Sequence, residues 1–506
     1  MTMEPERQSN LFETKMTLGE LESHLWEAAN ILRGPIDQAD FKSYIFPLLF
    51  FKRISDVYQE EFEEALRTYG GDHTFAAYAE NHRFQIPQEH SWERVRKAEK
   101  NIGASLLVAL QEIERANKEE LAGIFGDTPW TNKDRIADAV IKDLIEHFSK
   151  RPLTNAAVEP DVLGQAYEYL IKQFADLSNR KAGEFYTPRN VVKLLVSILA
   201  PRSDETFYDP ACGTGGMLIE VAQHVLNSGQ STAMLSGKLF GQEKNLTTAG
   251  IARMNLFLHG VEDFSIARGD TLRQPAFFEN DRLKTFDCVI ANPPFSLKAW
   301  GNDAWSSDRF GRAFAGVPPW STADFAWVQH MMRSMAPEVG RVAVVLPQGA
   351  LFHGGVEGVI RRKILETDKV EAVISLAPNL FYGTDLAACI LIIRDTKPSP
   401  GKVLFVDASD QFRKGRAQNT LENHQVNRIL RWYVDFTDIP GRVKIADMKD
   451  IARHDFSLRV QLYVESQAQQ NLPSLPEALQ KLNNTHVDLT AAELRMRKEL
   501  DKWGLN

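Results

Sequence analysis

Apolar residues recur at intervals of three and four from residue 11 to about 150. The stretches LGELESHLWEAANILRG, FKSYIFPLLFFKRISDVYQEEFEEALRTYG and IGASLLVALQEIERANKEELAGIFG all carry this spacing. It lines one face of a helix, so an all-helical domain is predicted over 11–155. Gly34-Pro35 punctuates the first two stretches. Beyond residue 160 the period changes. TFYDP (206–210), KLFGQE (238–243), FDCVIAN (286–292), RVAVVLP (341–347), VEAVISL (370–376) and CILIIR (389–394) are short β-rich runs. Helical stretches such as GMLIEVAQHVLNSG and DFAWVQHMMRSMAP separate most of them. This alternation predicts an α/β domain over 160–440 with a parallel, doubly wound sheet, its ligands beyond the carboxyl ends of the strands. Residues 441–506 read as an irregular and helical tail ending in TAAELRMRKELDKWGLN, a solvated helix or one that docks a partner.

Length and composition agree with that division. A chain of 506 residues needs two or three domains, and 43% hydrophobic with 25% charged residues is ordinary for a globular protein. Cys212, Cys288 and Cys389 lie far apart with no Cys/His cluster, so neither a metal site nor a disulfide framework is expected. The polar start MTMEPERQSN has no apolar region behind it, and Ile45 to Phe51, broken by Pro47, is too short to span a bilayer. A cytoplasmic protein without a membrane segment is the expectation. The net charge of −8 disfavours a chain that grips long DNA alone, because Lys and Arg supply phosphate affinity.

Two motifs carry chemistry. Asp209-Pro-Ala-Cys-Gly-Thr-Gly-Gly216 stands between a strand and a helix. Glycines at 213, 215 and 216 let the backbone approach a ligand, and the helix start offers unpaired N–H groups. A plain tight turn or a nucleotide loop would look alike. Asp209, however, suits an ammonium better than a diphosphate, and Glu243 at the end of the next strand suits ribose hydroxyls. An amine-bearing nucleoside such as S-adenosylmethionine meets both demands. The second motif is Asn292-Pro293-Pro294-Phe295 at the end of FDCVIAN. The prolines stiffen the turn and so aim the amide. The Asn292 oxygen and the Pro293 carbonyl can both accept from one exocyclic amine, freeing its lone pair for attack on a sulfonium methyl. Phe295 offers a face on which an extruded base can stack.

Glycine loop, acidic residue and Asn-Pro-Pro-Phe together resemble the adenine-N6 DNA methyltransferases in their γ motif order. More narrowly, Gly183-Glu-Phe-Tyr-Thr-Pro-Arg189, ADFKSYIFPLLFFKRISD and GRVAVVLPQGALFHGG resemble modification subunits of Type I restriction-modification systems, over roughly residues 18 to 465. The resemblance implies a Rossmann-like S-adenosylmethionine-dependent domain behind the helical one. It implies cofactor contacts from Glu184, Phe185, Tyr186, Thr187, Pro188 and Arg189, from Gly213, Thr214, Gly215 and Gly216, and from Asp209 and Glu243. Asp270 in RGDTL either receives the cofactor adenine amine or caps a helix. The implied partners are double-stranded DNA, a specificity subunit and a restriction subunit, with two copies of this chain per complex.

The stretch 296–327 is long for a βα connection. It mixes Lys298, Arg309 and Arg312 with Trp300, Trp305 and Trp320, as a DNA-holding loop or a self-packed lid would. Arg361-Arg362-Lys363 reads as a solvated helix face. No GxxxxGK[ST] motif is present, so ATP-driven translocation is not expected here. The short tail leaves no room for a large target-recognition domain. The rival readings are a stand-alone adenine methyltransferase, a protein-glutamine methyltransferase and a degenerate scaffold.

Overall fold

The computed structural model describes residues 15–177, 187–381, 384, 386–416, 418–464 and 475–503. The first layer is helical: α1 (Leu18–Leu32), α2 (Phe41–Thr68), α3 (Ile102–Ala116), α4 (Asp138–Phe148) and α5 (Pro160–Leu177), with shorter turns between them. A reciprocal cap between Thr17 and Glu20 starts α1. Gly34, at φ +103°, turns the chain after it. Pro47 does not break α2. It lies inside the helix, and the Ser43 carbonyl that its missing N–H leaves free accepts from the Thr128 hydroxyl at 2.7 Å. The run Ile45–Phe51 is buried throughout, so this apolar stretch builds a core. No described helix is long and apolar enough to cross a membrane.

The second layer is one sheet of nine strands: β1 (Phe207–Asp209), β2 (Leu239–Glu243), β3 (Phe264–Arg268), β4 (Cys288–Ala291), β5 (Arg341–Pro347), β6 (Val370–Ser375), β7 (Ala388–Arg394), β8 (Lys402–Asp407) and β9 (Val443–Asp447). Their spatial order is β9-β8-β6-β7-β5-β4-β1-β2-β3. From β3 to β5 the strands are parallel. The expected all-parallel sheet fails beyond that point. β7 runs antiparallel between β5 and β6, and β9 runs antiparallel on β8. Burial on both faces gives parallel and antiparallel central strands the same unbroken apolar run, so direction is not readable from ACILIIR. Strand β9 also carries the sheet past residue 440, where an irregular tail was expected. VKIAD is a short edge strand with only Val443 and Ala446 buried, a pattern too weak to announce itself.

Helices cover both faces. On one lie α6 (Arg189–Leu199), α7 (Gly216–Asn227) and α11 (Asn423–Asp435); on the other lie α9 (Asp324–Arg333) and α10 (Gly355–Glu366). β4 serves both layers, sending Cys288 and Ile290 to the first and Val289 and Ala291 to the second. Helix α8 (Leu246–Leu258) joins the two domains. Its Ile251, Met254 and Phe257 enter the helical core while Leu256 faces the sheet core. Such an all-round apolar helix must be buried on every side. Gly250 lets it come close, because a Cβ there would stand 2.5 Å from the Ile124 carbonyl oxygen. The last helix, α12 (Leu475–Lys502), buries no residue.

Candidate active site at the carboxyl ends of β1 and β4

Strand order reverses between β1 and β4, and a doubly wound sheet opens a crevice at such a point. The loop after β1 is shaped by its glycines. Gly213 (φ +53°) and Gly215 (φ +82°) take left-handed conformations that a Cβ disfavours, and α7 starts at Gly216. Asp209 ends β1 almost fully buried and accepts from the Ala211 N–H at 3.0 Å. Burial, and then the charge of Glu243, push its carboxyl up to about 8. Glu243 ends β2 and accepts from the Gly213 N–H at 3.2 Å and the Asn245 N–H at 2.7 Å. The glycine loop is therefore tied to the acid one strand away.

Asn292 follows β4 directly and lines the same open cleft of about 700 Å³ as Asp209, Gly213, Thr214, Gly216, Thr187 and Arg189. Its Nδ2 donates to the Thr187 hydroxyl at 2.9 Å. Its Oδ1 is shut off from solvent and has no hydrogen-bond partner among the described residues. An acceptor left so typically costs about 1–3 kcal/mol. Pro293 is buried. Phe295 is half-buried and meets Phe381 edge-on, with ring centroids 5.7 Å apart. Just beyond it, Ser296 is held at φ +50° by an N–H bond to Asp324 Oδ1 at 2.9 Å. Burial of Asp324 raises its carboxyl pKa despite that bond.

Other expected residues fall elsewhere. Glu184, Phe185 and Tyr186 lie outside the described residues. Asp270, in the turn after β3, points its Oδ1 to the Leu272 and Arg273 N–H groups at 3.2 and 3.3 Å and pairs with Lys244 at 3.0 Å, and no helix begins there. The 296–327 loop is largely self-packed. Trp300 and Trp305 are buried with Leu272 and Trp327, and their indoles donate to Pro319 and Leu272 carbonyls at 3.0 Å. Arg312 is buried against Asp308, whereas Trp320 is 62% exposed and Lys298 and Arg309 face solvent. Arg361, expected on a solvated face, is buried and donates to the Ala350, His353 and Phe456 carbonyls.

Sequence reading missed Asn255. It sits 1% exposed on α8, its Nδ2 bonded to the Thr214 carbonyl at 3.0 Å and its Oδ1 without a partner among the described residues. An amide inside the otherwise apolar run MNLFL was the available signal. Far from the cleft, His24, Glu27 and His147 bring ligand-type atoms within 4.8 Å of one another. The two imidazoles are stacked at 4.3 Å and 17°, so their in-plane lone pairs do not converge on one ion.

Comparison with known proteins agrees with this geometry. Residues 158–471 match the N-6 DNA Methylase family and residues 21–148 match the HsdM N-terminal domain. The chain is 31% identical over 504 residues to the Type I restriction enzyme MjaVIII methylase subunit of Methanocaldococcus jannaschii, covering 94% of this chain and 83% of that one. It is also 31% identical to the HindI methylase subunit of Haemophilus influenzae, covering 78% and 90%. The crystal structure of the type I restriction-modification methyltransferase subunit from Streptococcus thermophilus superposes with a TM-score of 0.76 at 29% identity, covering 89% of this chain and all of that one. With a family match over most of its length and relatives alike along nearly the whole chain, this protein belongs to the N-6 DNA methylase family, among the Type I restriction methylase subunits.

Proposed function

We propose that this chain transfers a methyl group from S-adenosylmethionine to N6 of an adenine extruded from duplex DNA, as the modification subunit of a Type I restriction-modification complex. The observation that carries the reading is the Asn292 amide, fixed at one end and unsatisfied at the other, beside the glycine loop. The cleft fits the cofactor. Gly216 lines it, and there is open space where a Cβ on Gly216 would stand. Asp209, Glu168 and Glu220 suit an ammonium and a sulfonium, and Glu243, oriented by the Gly213 and Asn245 N–H groups, presents a carboxylate of the kind that accepts from ribose hydroxyls. When bound, S-adenosylmethionine supplies a methyl on a positively charged sulfur. Asn292 Oδ1 and the Pro293 carbonyl accept both amine protons of the adenine and draw its nitrogen out of conjugation. Phe295 stacks the base. Most of the acceleration comes from positioning.

Sequence reading by the complex falls to a specificity subunit, with two copies of this chain in the assembly and a restriction subunit as a further partner. Acting on cellular DNA, the complex works in the cytoplasm. Helix α12 is the docking element on this side. Leu475, Leu479, Leu482, Leu489 and Met496 recur at helical spacing and are all more than half exposed. Gel-shift and calorimetric titrations test the division of labour. The lone chain should bind S-adenosylmethionine but select no DNA sequence. Adding the specificity subunit should give site-specific, strongly salt-dependent binding. Tight, sequence-selective DNA binding by the chain alone would make it a stand-alone methyltransferase.

A further inference from the structure

Given the role proposed for Asn292, we infer that Thr187 is a positioning residue for the methyl transfer, holding the Asn292 amide with its oxygen toward the adenine amine through the bond from Asn292 Nδ2 to the Thr187 hydroxyl. The two ends of an amide have nearly the same shape and opposite hydrogen-bonding character. Only the oxygen can accept from an exocyclic amine. Turned over, Asn292 would oppose two N–H donors and push the substrate away. The Asn-Pro-Pro turn restrains the backbone but leaves the amide free to rotate about its last torsion, which is broad and roughly two-fold. Something beyond the turn must therefore choose the face.

Thr187 holds the amide in the orientation observed. It stands immediately before α6, far away in sequence, and its hydroxyl accepts from Asn292 Nδ2 at 2.9 Å. A threonine hydroxyl that accepts this bond can still donate its own proton elsewhere. With Nδ2 engaged, Oδ1 is the end left over, and it is the buried atom without a partner among the described residues. Asn255, also on the cleft, repeats the pattern, with Nδ2 anchored on the Thr214 carbonyl and Oδ1 unpaired. Anchoring through nitrogen and leaving oxygen over is thus a local habit of this cleft.

The test uses the assembled complex with its DNA and compares Thr187→Val, which keeps the shape and loses the hydroxyl, with Thr187→Ser, which keeps the hydroxyl. Single-turnover methyl transfer is measured at saturating S-adenosylmethionine and DNA, and cofactor affinity by calorimetry. Thr187→Val should lower the single-turnover rate roughly tenfold to a hundredfold. Thr187 also lines the cofactor cleft, so cofactor affinity should fall too, but by much less than the single-turnover rate, and an unchanged unfolding transition reports that the variant is folded. Thr187→Ser should recover most of the rate. Thr187→Val with weakened cofactor binding but a normal rate at saturation would make Thr187 a cofactor contact and overturn the inference. Equal loss in both variants, or no loss in either, would overturn it too. Asn292→Ala, run alongside, separates the two layers. Its collapse with an unaffected Thr187→Val rejects only the positioning role, while its survival rejects the role of Asn292 itself.

Discussion

The two ends of the parallel strands are built on opposite principles. At the amino ends Arg341, Glu205, Asp287 and Thr206 are all paired. Arg341, opening β5, grips Glu205 through two bonds of 2.8 and 3.0 Å and donates to the Leu199 and Ala200 carbonyls at the end of α6. Beside it, Asp287 takes the Thr206 N–H and hydroxyl at 2.8 and 2.7 Å, closing β1 against β4. At the carboxyl ends the pairing stops short. Asn292 and Asn255 keep buried oxygens without partners among the described residues, and Asp209 is a buried acid held up near neutrality. Satisfied networks rigidify, and unsatisfied ones are costly unless something else completes them. One end of the sheet is a clamp, and the other holds the bonds that the proposed function leaves for substrate and cofactor to complete.

That contrast predicts different failures at the two ends. The largest effect belongs to Asn292→Ala. Turnover should fall by roughly a thousandfold or more, because an acceptor used mainly in the transition state is gone. Its folding stability and cofactor affinity should match the parent. Near-normal turnover in steady-state assays would show that the unpaired oxygen has no catalytic use. At the clamp, Arg341→Met leaves the buried Glu205 with only Arg202 as a cationic partner, and denaturant unfolding should register a loss of up to about 3–5 kcal/mol. Turnover per folded molecule should hardly change. A purely catalytic defect with unchanged stability would erase the distinction between the ends.

Glu243→Ala comes next, with a loss of about 1.5–3 kcal/mol in cofactor binding as two hydroxyls lose a charged acceptor. High cofactor concentration should restore part of the rate, and calorimetry showing unchanged affinity would remove Glu243 from the site. The smallest effect is on protons. Asp209 sits at about 8 in the fold, far above the ordinary carboxylate value, so the folded state holds a proton that the unfolded chain releases. Its contribution to stability therefore declines as pH rises from about 4 to about 8, then levels off. An ammonium arriving at Asp209 should expel that proton. Titrations of S-adenosylmethionine at pH 7, in buffers of different ionisation heat, should report close to one proton released. The release should vanish in Asp209→Asn, and equal release in both proteins would assign the proton elsewhere.

What was legible in the sequence followed from local pattern. Helical periodicity, six of the strand runs and the glycine loop each depend on neighbours a few residues apart. The antiparallel course of β7 was not legible, since a strand buried on both faces looks the same in either direction. The 296–327 loop stayed open between two readings because Trp and Arg serve DNA contact and self-packing equally. Trp300, Trp305 and Arg312 turned inward, while Trp320 stayed out. Within the site, Asn292 and Asp209 were visible because each ends a strand. Asn255 was not, because it lies in the middle of a helix and not at a strand end, and the bond from Asn292 to Thr187 spans a separation of 105 residues. Long-range pairings of single polar atoms leave no periodic trace.

The central claim is that the unfinished end of the sheet methylates adenine N6. The most direct measurement combines the chain with its specificity subunit, duplex DNA and methyl-labelled S-adenosylmethionine, then digests the DNA to nucleosides for mass analysis. The account predicts that the label appears as N6-methyladenine, at one sequence context, and disappears with Asn292→Ala. Label on cytosine, or on a glutamine of a protein while the DNA stays unmodified, would contradict it.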